Sequence, residues 1–216
     1  MRARPSRAGC AVLAAIASLW ALFLLPQQAV VWSGSAAPEW AIAIARTPFY
    51  TRIRTALAEA GLLDLYLILG AAVGVSYVLL WLAMGPTLAR VGWSGRVYGA
   101  LLLVLAVVIV LSYLNHGQDA PLRFLWGWEG PVLILLGIWG IVAAFAPRAR
   151  RLPLWEALTL GLTLPIIALA TLVSTYYPHG PAIALGLVAI AFAVWAPRLD
   201  DEQSAEEQDE AAVAAA

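Results

Sequence analysis

The sequence predicts an all-α, polytopic transmembrane helix bundle of about six spans. Three observations predict it. The 216 residues are 62% hydrophobic and only 12% charged, against roughly 45–50% apolar and about 25% charged in soluble domains. Six apolar stretches of membrane-crossing length follow one another. Arginines and aromatic residues are distributed in register with those stretches.

The stretches cover 9–31, 64–84, 97–114, 131–147, 155–177 and 181–197. A spanning helix needs about 20 mostly apolar residues, and spans of about 17 still cross. None of the six has a charge in its middle. Lipid offers no partner to unpaired backbone groups, so each run is expected to be helical. The runs do not alternate strictly, which argues against a β-barrel.

Orientation follows from the arginines. With the N-terminus cytoplasmic, nine arginines fall on inside segments (Arg2, Arg4, Arg7, Arg90, Arg96, Arg148, Arg150, Arg151, Arg198). Four fall outside (Arg46, Arg52, Arg54, Arg123). The excess predicts both termini in the cytoplasm of a plasma (inner) membrane protein. Trp32, Trp40, Trp126, Trp128, Tyr176 and Tyr177 then mark the outer boundary. Trp81, Trp93, Trp155 and Trp195 mark the inner one. Indole and phenol rings favour that level because one edge is wet and the face is apolar.

The first run also has the form of a signal peptide, with Arg2, Arg4 and Arg7 ahead of it and Gly34-Ser35-Ala36 behind. It is longer than a cleaved signal usually is, so a retained anchor is the expectation; cleavage would leave five spans. Cys10 is the single cysteine. Its apolar run follows it instead of preceding it, unlike a lipoprotein acceptor.

Residues 33–63 form the longest outside segment. Thr47-Pro48 has the form of an N-cap with proline at the first helical position, and Gly61 that of a stop. Ile53, Leu57 and Ala60 share one face, which predicts either an amphipathic helix over 48–60 on the outer leaflet or a plain loop. Residues 1–199 are read as one transmembrane domain with a net charge of +7, from 13 arginines and six acids. The tail 200–216 carries seven acids and no base, and is expected to be disordered and cytoplasmic.

A weak repeat is present. Gly130-Pro131 opens a run ending Ala146-Pro147-Arg148, and Gly180-Pro181 opens one ending Ala196-Pro197-Arg198, at a constant offset of 50 residues. The third and fourth spans, and the fifth and sixth, are therefore candidate copies of one hairpin. The run Trp155…Pro165…His179-Gly180-Pro181, closed by an apolar span, resembles small and largely uncharacterised polytopic membrane proteins of actinobacteria. The resemblance covers the last third of the chain and implies no activity, cofactor or residue role.

Few residues point to chemistry. Asp64, Glu129 and Glu156 lie at span ends, where water is expected to reach them. That disfavours a proton relay or an aspartyl protease within the membrane. His116 and His179 end the third and fifth spans. With Asp119 they form a candidate metal set at the outer surface. Pro165, with Thr159 and Thr163 before it, predicts a hinge or a static kink. Thr163, Ser76 and Tyr77 would line a mid-membrane cavity if the chain conducts a solute. Gln27 and Gln28 follow Pro26 at the end of the first span. Gly70/Gly74 and Gly95/Gly99 make Gly-x-x-x-Gly patterns suited to close helix packing or dimerisation. The arginines sit at loop ends, so no nucleic-acid surface is expected.

The expected function is a non-enzymatic structural, accessory or assembly subunit without a cofactor. Its partners would be the lipid bilayer and other membrane subunits or a second copy. The alternatives are a small-solute transporter or channel, and an outer-surface metal- or haem-binding protein. A mid-membrane polar cavity would favour the first alternative, and convergent imidazoles the second.

Overall fold

A computed structural model describes residues 6–176 and 178–195, with the side chains of 150 and 151 left aside. The acidic tail lies outside the described residues. Among these, every regular element is helical. The α-helices are α1 (Arg7–Ser33), α2 (Glu39–Ala45), α3 (Pro48–Glu59), α4 (Leu65–Ala72), α5 (Gly74–Val91) and α6 (Trp93–Leu114). They continue with α7 (Glu129–Phe145), α8 (Leu154–Gly161), α9 (Thr163–Ser174) and α10 (His179–Trp195).

The helices close into a ring. α1 packs on α5, α5 on α6, α6 on α7, α7 on α8 and α9, α9 on α10, and α10 back on α1. α10 also reaches α5 across the middle. The α1–α10 contact is the most extensive and joins the two ends of the chain. It is built from small residues. The buried stripe Ala14, Ala17, Ser18, Ala21 repeats at helical spacing. A Cβ on Gly186 would stand 3.0 Å from the Ala14 carbonyl oxygen and collide with the Ser18 hydroxyl. That hydroxyl donates to the Ile183 carbonyl at 3.0 Å.

Three helices are long and apolar enough to cross a membrane: Arg7–Ala36, the joined Leu65–Val91, and Trp93–Leu114. α8 and α9 pass the same test together but are bent by 59°. α7 and α10 have 17 residues each. The outward faces are apolar all round, with Val12, Ile16 and Leu19 on α1, Val107 on α6, Ile138 on α7, Leu172 on α9 and Leu187 on α10 all exposed. Such a surface is compatible with a lipid surround and far exceeds the apolar patches of soluble monomers.

Two breaks interrupt the spans, one at Val73 that the sequence did not signal and one beside the kink expected at Pro165. At Val73 the amide turns to Ala71, and the Ser76 amide turns to Val73. The carbonyls of Leu69 and Ala72 thereby lose their usual helical donors. The Trp20 indole N–H takes Ala72 at 2.8 Å, and the His179 ring takes Leu69 at 3.3 Å. The second break lies at Leu162, three residues before Pro165, whose missing N–H could not have bonded the Gly161 carbonyl. The Thr163 hydroxyl donates back to Leu160 at 2.7 Å and meets the Tyr98 hydroxyl at 3.3 Å. Gly140 gives the bend its room, since a Cβ there would overlap Leu160 and Thr163.

The segment between α1 and α4 is more regular than expected. α3 forms where the amphipathic pattern placed it, and α2 precedes it. Gly61, at φ +78°, ends α3 in a Schellman turn, with Leu62 N–H on Leu57 and Gly61 N–H on Ala58. Thr47 is not a capping side chain, because its hydroxyl donates back to the Ile44 carbonyl at 2.8 Å. Ala60 is exposed, whereas Tyr50 is the buried residue of α3. The Tyr50 hydroxyl donates to Phe23 on α1 at 2.8 Å, and burial pushes its phenol up from the ordinary value. Arg54 donates to the Gln27 amide oxygen at 2.9 Å and to the Ala45 carbonyl at 2.7 Å.

Candidate functional site

Aromatic residues gather at both ends of the ring. Trp93, Trp155 and Trp195 lie at one end and Trp32, Trp126 and Tyr176 at the other, as the sequence separated them, while Tyr177 lies outside the described residues. Trp93 meets Trp139 at one end, and Trp155 meets Phe192 and Trp195 there. At the other end, Trp32 of the last turn of α1 stacks on Tyr66 of the first turn of α4, with centroids 5.5 Å apart. Trp32 also meets Trp126 at 5.8 Å and Tyr176 edge-on at 6.3 Å.

These four rings, with Gly127, Glu129 and Thr175, line a cavity of about 190 Å³. Two unusual backbone turns shape it. Gly127 has φ +88° and turns the chain into α7. Thr175 has φ 56°, which ends α9 and lets Tyr176 fold inward. Below the rings, the Tyr176 and Tyr113 hydroxyls are 2.7 Å apart. The Gln28 amide donates to the Tyr176 hydroxyl at 3.0 Å, and the Trp126 indole to the Tyr66 hydroxyl at 3.4 Å. Gln28 is therefore a fully buried tie between α1 and this wall.

Glu129 is the first residue of α7 and is 3% exposed. Ser112 and the backbone at Gly127 and Glu129 are the polar groups beside its carboxylate. Ser112 in turn accepts from Gly127 N–H at 2.9 Å. The second oxygen, Oε2, is buried and has no hydrogen-bond partner among the described residues. A buried carboxylate oxygen without a partner is costly, and such groups in native structures call for an explanation.

The expectation of water-reached acids holds for Asp64 alone. Glu129 and Glu156 are buried. The bundle encloses them because the loops fold over the helix ends. Glu156, on the first turn of α8, accepts from the Arg90 guanidinium at 2.8 Å. This ion pair ties α5 to α8 at the end opposite the aromatic cavity.

His116, His179 and Asp119 are placed as follows. His116 is half-buried, with Nδ1 2.8 Å from the Tyr113 carbonyl and Nε2 3.3 Å from Asp64. His179 is not at the surface: it is fully buried on the Leu69 carbonyl, with its ring 5.3 Å from that of Tyr176. Asp119 stays in the 115–122 loop, and Asp64 stands where it was expected. Among the described residues, no group of three or more His, Cys, Asp or Glu is spaced to hold a metal ion.

The candidate cavity residues are also enclosed. Ser76, Tyr77 and Thr163 are at most 2% exposed. Ser76 donates to the Ala17 carbonyl at 2.8 Å and Tyr77 to the Pro178 carbonyl at 2.7 Å. Both Gly-x-x-x-Gly patterns are used within the chain. Gly70 lies under the Tyr113 ring and Gly74 against the Ala106 carbonyl; Gly95 faces Leu88 and Gly99 the Trp81 ring. No family model, curated protein or solved structure matches the chain.

Proposed function

We propose that this chain is a non-enzymatic, multi-pass membrane protein of the accessory or assembly kind, with six spans and both termini cytoplasmic. The spans are α1, α4 with α5, α6, α7, α8 with α9, and α10. At 1.5 Å per residue, the 17 residues of α7 and α10 reach about 25 Å, short for a bilayer core of roughly 30 Å but within what lipid accommodates. The nine-to-four distribution of arginines supports the orientation. α1 supplies half of the most extensive helix contact, which supports its being a retained span.

The observation that carries the non-transporting reading is the closure of polar groups at span depth. Ser18, Trp20, Ser76, Tyr77 and Trp139 each donate to a backbone carbonyl of another segment, at 2.7–3.0 Å. These bonds tie helices together and occupy the polar groups of these five side chains, which supports a packed interior over a solute path. The proline kink is static by the same argument, because Thr163 and Gly140 fix it.

Spin labels on Leu158→Cys and Leu169→Cys, in a Cys10→Ala background, test the reading across the bend. One narrow distance distribution in nanodiscs is expected. Two populations would show a working hinge and favour transport. Crosslinking in native membranes from exposed Leu172 on α9 is expected to give one defined adduct, with a partner subunit or a second copy.

A further inference from the structure

We propose that the cavity at the aromatic end binds the ammonium group of a small organic cation, with Glu129 as counter-charge and Trp32, Tyr66, Trp126 and Tyr176 as walls. Three properties of the cavity select this guest. Its walls are aromatic faces and edges, which attract methylated or alkyl ammonium groups through the ring quadrupole. Its polar content converges on a carboxylate that is 3% exposed and has one oxygen without a hydrogen-bond partner. Its size, about 190 Å³, lies below the roughly 300–1,000 Å³ of sites for drug-sized ligands, so the guest is small.

Other guests fit less well. An anion would meet Glu129 and the quadrupole of four rings. A neutral apolar molecule would leave the buried Glu129 carboxylate without a counter-charge. A divalent metal needs several hard or nitrogen donors, and no group of three such side chains is present among the described residues. A methylated ammonium ion meets the ring faces with its methyl groups and offsets the Glu129 charge by Coulomb attraction, without a hydrogen bond to Oε2. The Trp126 ring already accepts a cation, with the Arg123 guanidinium 4.1 Å from its centroid and held by the His116 carbonyl at 2.7 Å, although Arg123 does not line the cavity. Asp64, paired with His116 beyond Tyr66, adds negative potential to the same end.

The ammonium could be that of a free solute or of a phospholipid headgroup, since in the proposed topology the cavity lies at headgroup level. The test uses the full chain in nanodiscs of phosphatidylglycerol, titrated calorimetrically with choline chloride. The neutral isostere 3,3-dimethylbutan-1-ol is the control. Choline is expected to bind and the alcohol to bind at least about tenfold more weakly. Glu129→Gln should weaken choline about tenfold by removing the counter-charge, and Trp126→Leu about 2- to 30-fold, with both variants still folding and unfolding cooperatively. Replacing half the lipid by phosphatidylethanolamine separates the sources. Weakened choline binding would assign the site to a headgroup, and unchanged binding to a free cation. The proposal is overturned by any of three results: no choline binding to the wild type up to tens of millimolar, equal binding of the alcohol, or unchanged binding to a folded Glu129→Gln variant.

Discussion

Glu129 and His179 open helices of equal length, fifty residues apart, and each is followed by Gly-Pro. Both are buried, yet their surroundings differ. His179 does not line the aromatic cavity. Its ring lies on Tyr176, its Nε2 faces the Leu69 carbonyl, its Nδ1 is buried without a hydrogen-bond partner among the described residues, and the glycine after it is pressed against Ser174 and Ala170. Glu129 borders a cavity, and its Oε2 has no partner among the described residues. One local pattern thus serves two purposes. In α10 the ionisable residue repairs a helix break, and in α7 it faces a chamber. The preceding helices differ too, since α6 is one continuous helix while α8 and α9 are bent by 59°.

Glu156 sharpens the contrast, being a buried acid with a cation. Glu156→Gln should strand Arg90 and cost toward the low end of the about 3–5 kcal/mol typical of broken buried pairs, because Arg90 keeps some water contact. Glu129→Gln should leave stability unchanged or raise it, since it removes a charge that nothing pairs. Chemical unfolding in mild detergent compares the two. Equal losses would erase the distinction between them.

Smaller effects follow. Gly186→Leu should part α1 from α10 and cost about 1–3 kcal/mol or more, read as a lowered thermal transition. His179→Phe should orphan the Leu69 carbonyl at a cost of about 1–3 kcal/mol; a neutral outcome would show the break at Val73 satisfied otherwise. Tyr176→Phe removes the hydroxyl shared by Tyr113 and Gln28. It should cost about 1 kcal/mol in stability, in line with single hydrogen bonds inside membrane bundles. His116→Ala loses a half-exposed pair with Asp64 and should change stability by less than about 1 kcal/mol.

Composition and periodicity made the helices legible, because apolar run length is a local property. The boundaries agree within a few residues for α1, α6 and α10. The joint at Val73 left no trace, since Gly70-Ala71-Ala72-Val73-Gly74 is as apolar as its flanks and contains no proline. The bend at Leu162 was signalled by Pro165 but lies three residues upstream, where the lost hydrogen bond falls. The aromatic residues at the cavity were visible as an interfacial belt. Their convergence on Glu129 was not, because Trp32, Tyr66 and Tyr176 come from segments 47 to 97 positions away along the chain. An acid beside Gly-Pro at a span edge reads as a solvated residue. Only the folded loop 115–128 and the inward turn at Thr175 enclose it. The constant spacing of Glu129-Gly130-Pro131 and His179-Gly180-Pro181 was the available signal that the two positions are equivalent.

Water is expected in the aromatic cavity and excluded from the buried polar residues at span depth. Thiol accessibility measures this directly, in a Cys10→Ala background reconstituted in vesicles. Thr175→Cys, at the cavity mouth, should react fully with a membrane-impermeant thiosulfonate, while Ser76→Cys and Thr163→Cys should resist it. Modification of Ser76→Cys and Thr163→Cys at the rate of Thr175→Cys would reveal a water-filled path through the bundle and contradict the account.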